Sequence, residues 1–139
     1  SVVNTAATAA SDGKAVGESG GFLQVSGIKF TIDTSIPSSV KKDDKGLFVA
    51  VEGERRVKDV FVEENGEWVP IDPEKTYTVA CHNYLLQDMG DGYTMFTDNV
   101  YILDKVLIDN QVIINYICDF LDGNVGTEYA EPQGRITVI

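Results

Sequence analysis

The sequence predicts an α+β domain, on three observations. Short β-branched segments separated by turn residues fill most of residues 22–81. One stretch of helical periodicity follows Asp109, with Val112, Ile113, Tyr116, Ile117, Phe120 and Leu121 recurring at helical spacing. Strands that precede a helix as hairpins, rather than alternate with helices, argue for α+β. At 139 residues, with 43% hydrophobic and 24% charged, the chain reads as one domain with enough apolar material for a core.

The elements follow in order. Ser1 to Ala10 carries no helix-start signal and reads as a helix tail. Ser11 to Gly21 has the Gly, Ser and Ala composition of a loop. Leu23, Val25, Ile28, Phe30 and Ile32 alternate with one break at Ser26-Gly27, which predicts a strand bent or bulged at Gly27. Asp33 to Gly46, with Pro37 and a mixed charge run, reads as a solvated loop. Leu47–Val51 and Arg56–Val62 are strands. Asn65-Gly66 supplies the positive φ of a tight hairpin turn. Trp68–Ile71 returns, and Pro70 places it at a sheet edge. Thr76–Cys81 is a β-branched strand, Asp109 opens a helix that Gly123 closes, and Gly134–Ile139 is a final strand.

Charge and composition exclude several roles. Eleven Lys and Arg against 22 Asp and Glu give a net charge of −11. A chain this acidic is poorly suited to phosphate backbones or anionic membrane surfaces, although one local site can still take a small anion. There is no apolar run long enough to span a bilayer and no signal-peptide pattern. Cys81 and Cys118 fit no zinc spacing; they can form one disulfide or pack as small hydrophobes. His82 is the single histidine. It reads as a structural imidazole, and as a neighbour on a strand it would point away from Cys81. An enzyme built on these residues alone would lack a nucleophile–base pair.

Two segments carry candidate chemistry. Gly20-Gly21-Phe22 permits close backbone approach and an exposed ring, or else is a loop leading into a core Phe. Asn83 to Tyr93 sets Asp91 between Gly90 and Gly92, with Tyr84 and Tyr93 on either side. A carboxylate so placed can accept ribose hydroxyls and a ring can stack on a base; the same pattern suits a Gly-rich turn beside core tyrosines. Arg55-Arg56 reads as a hairpin surface pair.

Taken together, these segments resemble the C-terminal domain of the 5′-nucleotidase family, which includes bacterial UDP-sugar hydrolases. Gly20 to Phe30 is similar to the family's GGFLQVSG strand, and Asp72 to Ala80 to its DPxKxYxVA strand. Gly90 to Phe96 is similar to its GGDGY loop, and Pro132 to Ile136 to its closing GRI strand. The resemblance implies mixed and antiparallel sheets with flanking helices, layered α/β/β/α. It implies a domain over residues 1–139, truncated on its N-terminal side, with 1–19 a helix tail and loop. It implies that Phe22 and Tyr84 are the two rings that grip a nucleoside, and that Asp91, shaped by Gly90 and Gly92, meets ribose and base. Met89 stands where the family carries a further glycine, and the Tyr84–Asp91 spacing is one residue longer than in the ecto-enzyme. The resemblance places no catalytic residue, metal ligand or cofactor in this chain. It implies that two divalent ions and catalysis belong to an N-terminal metallophosphoesterase domain, and the phosphate or sugar contacts to an Arg/Asn segment upstream of Gly20, both absent from the 139 residues. The expected partners are a nucleoside or nucleotide and that catalytic domain, with no nucleic-acid polymer and no membrane insertion. The expected location is extracellular, periplasmic or cell-surface, and the expected source bacterial. The other reading is a structural or interaction module that has lost nucleoside binding.

Overall fold

The computed structural model describes residues 22–45 and 47–139. The expected helix tail and loop at 1–19 and the Gly20-Gly21 pair lie outside them. The described residues form six strands: β1 (Ile28–Ile32), β2 (Val40–Lys42), β3 (Phe48–Val51), β4 (Val57–Glu64), β5 (Glu67–Pro70) and β6 (Ile136–Val138). A four-stranded sheet runs β5-β4-β1-β6, and β2 and β3 pair separately. β4 is antiparallel to β1 and β5, whereas β6 is parallel to β1. The sheet is therefore mixed, and with the helices described below the fold is α+β.

Local sequence explains the hairpin and the irregularities. Asn65 (φ 54°) and Gly66 (φ 83°) both take the left-handed conformation that a two-residue turn with the strands' own twist requires. Pro70 ends β5 on the outer edge, where its missing N–H is harmless. The bend expected at Gly27 lies before the strand rather than in it, and Phe22–Val25 is irregular. The bulge sits instead in β4. Lys29 pairs with Phe61 and Thr31 with Lys58, so Asp59 and Val60 together face Phe30. Asp59 takes the left-handed conformation (φ 50°) that such a bulge needs.

Alternation puts Phe30 and Ile32 on the inner face of β1, where both are buried. Phe22, Val25, Ile28, Val57, Val60 and Ile136 pack around them. Hydrogen bonds lace the ends of the sheet: the backbone N–H and the hydroxyl of Thr34 both donate to the Ile139 carbonyl, each at 2.8 Å.

Four local expectations are corrected. Thr76–Cys81 joins no ladder and is largely exposed; its β-branched composition suits a strand, yet it pairs with none of the described strands. The supposed loop at 33–46 contains β2. Cys81 and Cys118 are both free thiols and exposed. Arg56 is only 1% exposed. Its Nε donates to the Ile36 carbonyl, and its backbone carbonyl accepts from Asp33 N–H at 2.9 Å, so it ties the 33–39 segment to β4 rather than meeting solvent.

The C-terminal third is helical where expected. α2 spans Asp109–Asn115 and continues as a wider π-type turn over Tyr116–Phe120; a shorter α1 (Asn83–Leu86) precedes it. Asp109 opens α2 from the first helical position, with Ile108 as the capping residue. Most of the apolar side chains of this region face outward. Val100, Ile102, Leu103, Val106 and Ile108 are more than half exposed, as are Val112, Ile113 and Phe120. These eight exposed apolar side chains all fall within residues 100–120.

Candidate functional site

The segment from His82 to Phe96 folds into a compact unit. α1 has only four residues and needs a cap, which His82 provides: its Nδ1 accepts the Tyr84 N–H at 3.1 Å. Its Nε2 lies 3.5 Å from Asp109 Oδ2. An accepting Nδ1 leaves the proton on Nε2, facing that carboxylate. His82 is thus the structural imidazole the sequence suggested, joining α1 to the start of α2. Its capping role was hidden because Ser, Thr, Asp and Asn are the usual N-caps. The far end of α1 is tethered by Tyr101, whose hydroxyl donates to the Leu86 carbonyl at 2.9 Å, and by Gln87, which donates to Asp104 at 2.7 Å.

The loop that follows is tightly wound. Met89 (φ 55°), Asp91 (φ 52°) and Gly92 (φ 83°) are all left-handed. Asp91 adopts αL without help from a glycine of its own, and its carboxylate is exposed. For Met89 the same conformation is strained, at about 1 kcal/mol. Met89→Gly is therefore expected to raise the urea midpoint by an amount worth about 1 kcal/mol, less part of the gain in unfolded-chain entropy; an unchanged midpoint would show that Met89 is relaxed. Thr94 anchors the loop to the second sheet, its hydroxyl donating to the Phe48 carbonyl at 2.8 Å.

Gly90 has the most specific role. A methyl added there would overlap the Tyr84 ring, so the ring lies directly against the Gly90 backbone. One side of the ring is covered by the loop, while the residue as a whole remains 47% exposed. His82 stands edge-on to it, with ring centroids 6.5 Å apart and planes at 70°. Tyr84 is thus a fixed ring with an open side, next in space to the loop that carries Asp91. Tyr93 differs entirely: it is 2% exposed and stacks on Phe96 at 6.3 Å. Burial, then the Asp91 carboxylate, then Cys81, push its hydroxyl up to about 12.

The structure therefore brings Tyr84, Gly90, Asp91 and Gly92 together. Phe22 does not join them directly. It is partly buried against the Phe30–Ile32 cluster, and no ring contact links it to Tyr84 among the described residues. Among those residues, no group of three His, Cys, Asp or Glu is placed to hold a metal ion, and no helix is long and apolar enough to cross a membrane.

Residues 7–98 match the family described as 5′-nucleotidase, C-terminal domain. The chain is also similar to the crystal structure of a 5′-nucleotidase precursor from Thermus thermophilus, with 30% identity and a TM-score of 0.66. The likeness covers 87% of this chain and 20% of that one, so the chain spans about a fifth of that protein's length. The curated proteins contain no match.

Proposed function

The chain belongs to the family of 5′-nucleotidase C-terminal domains, and on that premise we propose that it is the substrate-holding part of a metal-dependent phosphoric-ester hydrolase. The observation that carries this reading is the Tyr84 ring, seated on Gly90 with an open side and next to the Asp91 loop. A nucleobase stacks on Tyr84, and the Asp91 carboxylate accepts hydrogen bonds from ribose hydroxyls. Phe22 closes the other side of the base once ligand is present. Attack at phosphorus and the two divalent ions belong to polypeptide outside these residues. This chain's own work is to bind and orient, which lowers the entropic barrier for a reaction carried out elsewhere. The exposed apolar band from Val100 to Phe120 supports a domain set against more polypeptide, and the family points to a location outside the cytoplasm, in a bacterial source.

Titration with adenosine and with uridine tests this, followed by NMR shifts. One stacked base contributes about 1–3 kcal/mol, so millimolar affinity is expected. Shifts should centre on Phe22, Tyr84 and Asp91, and Tyr84→Ala should remove them. Shifts confined to other residues, or none at saturating ligand, would overturn the reading. The partial burial of Phe22 favours a second reading, an interaction module without nucleoside binding, and that is the reading such a result would leave.

A further inference from the structure

The outer face of the four-stranded sheet carries a second cluster of polar chemistry. Phe30 pairs with Ile136 and Thr31 with Thr137 across the parallel β1–β6 seam, and Phe30 N–H donates to the Arg135 carbonyl at 2.9 Å. One step back in that register sets Lys29 beside Arg135. Phe30 and Ile136 both belong to the core, so by alternation Lys29 and Arg135 share the outer face. Thr31 and Thr137 stand next along the same two strands. Two cations and two hydroxyls thus form a two-by-two array, and all four residues line one cleft of about 220 Å³.

Like charges placed side by side on one sheet face repel. Among the described residues neither forms an ion pair: neither Lys29 nor Arg135 has a carboxylate within 4 Å, although four other basic residues do. Asp59, from the β4 bulge, lines the same cleft but pairs with neither. On a chain of net charge −11, two neighbouring cations without an acidic partner are conspicuous. Lys29 is also held in place, with Nζ 5.0 Å from the Phe61 ring centroid and 4.9 Å from that of Trp68. Cation–π contact with two rings holds the ammonium on the β4–β5 side of β1, across the cleft from Arg135 just before β6.

The geometry points to a site for a phosphate-type oxyanion, bound between Lys29 and Arg135 with Thr31 and Thr137 donating their hydroxyls. The ligand is either inorganic phosphate or the phosphate of a small monoester. The site is independent of the nucleoside site at Tyr84.

The experiment titrates the 139-residue chain with inorganic phosphate and, separately, with glycerol 3-phosphate, each against sodium chloride at matched ionic strength. NMR shifts at Lys29, Thr31, Arg135 and Thr137 are the readout, with the fluorescence of Trp68, the single tryptophan, as a second. A saturable response with a Kd near about 1 mM, weakened about tenfold or more by Arg135→Gln or Lys29→Gln and unaffected by Lys42→Gln, is expected. Tighter binding of glycerol 3-phosphate would assign the site to monoesters, and equal or weaker binding to free phosphate. Arg135→Gln should also keep or raise the melting temperature without phosphate, because it relieves the repulsion. A response that chloride reproduces, that persists in Arg135→Gln, or that never saturates would overturn the proposal.

Discussion

Gly90→Ala is expected to abolish measurable nucleoside binding while leaving the sheet intact. The backbone of Gly90 is not in the left-handed region, so alanine is allowed there on conformational grounds. The obstacle is the Tyr84 ring, which occupies the space a methyl would need. The ring must then swing off the loop that carries Asp91, at a cost of about 1–3 kcal/mol. Tyr84→Phe keeps the same ring on the same glycine and should bind nearly as well as the unaltered chain. Tyr84→Ala should lose about 1–3 kcal/mol of stacking. Adenosine titrations of the three variants give the order. If Gly90→Ala binds adenosine normally, Tyr84 is not the stacking surface.

Tyr93→Ala is expected to be among the most damaging single changes in the site region, at about 3–5 kcal/mol. The side chain is 2% exposed, lies beside Phe96 and sits on the loop that Thr94 fastens to β3. Its hydroxyl also makes stability depend on pH. The folded-state value is raised to about 12, whereas an unfolded tyrosine titrates near about 10. Below about pH 10 both states keep the proton and the full stability is present. Above it the unfolded chain ionises first, so stability falls as pH rises toward about 12, by about 2–3 kcal/mol in all. Urea midpoints measured across this range should decline, and Tyr93→Phe should flatten the decline. A flat profile in the unaltered chain would mean that the ring reaches solvent more easily than its burial implies.

The parts of the fold that could be read in the sequence are those governed by local chemistry. Asn65-Gly66 announced the β4–β5 hairpin because few other residues tolerate that turn. Pro70 announced an edge because it cannot donate to a ladder. The apolar spacing after Asp109 announced α2. Thr76–Cys81 misled for the complementary reason: β-branched residues favour an extended backbone but supply no partner strand. Arg56 was misread because nothing in its neighbours in sequence says that the 33–39 segment folds over it. For the candidate site, the loop residues were legible as a group, since Gly-Asp-Gly beside tyrosines restricts the backbone so strongly. The seating of Tyr84 on Gly90 was not, because it depends on where a four-residue helix points its second side chain. Residue pattern alone did not separate Tyr84 from Tyr93; the family resemblance singled out Tyr84, and burial now distinguishes the two.

The β1–β6 seam governs how the chain is born. β6 pairs with a strand far upstream of it, and the Thr34–Ile139 hydrogen bond spans 105 positions. Contacts this distant close late, after most of the loop entropy has been spent. While a ribosome is still delivering the residues between them, β1 has β4 on one side and a bare edge on the other. For that interval the nascent chain displays the unpaired strand backbone that recruits stray strands, and the arrival of three residues, Ile136 to Val138, ends the exposure.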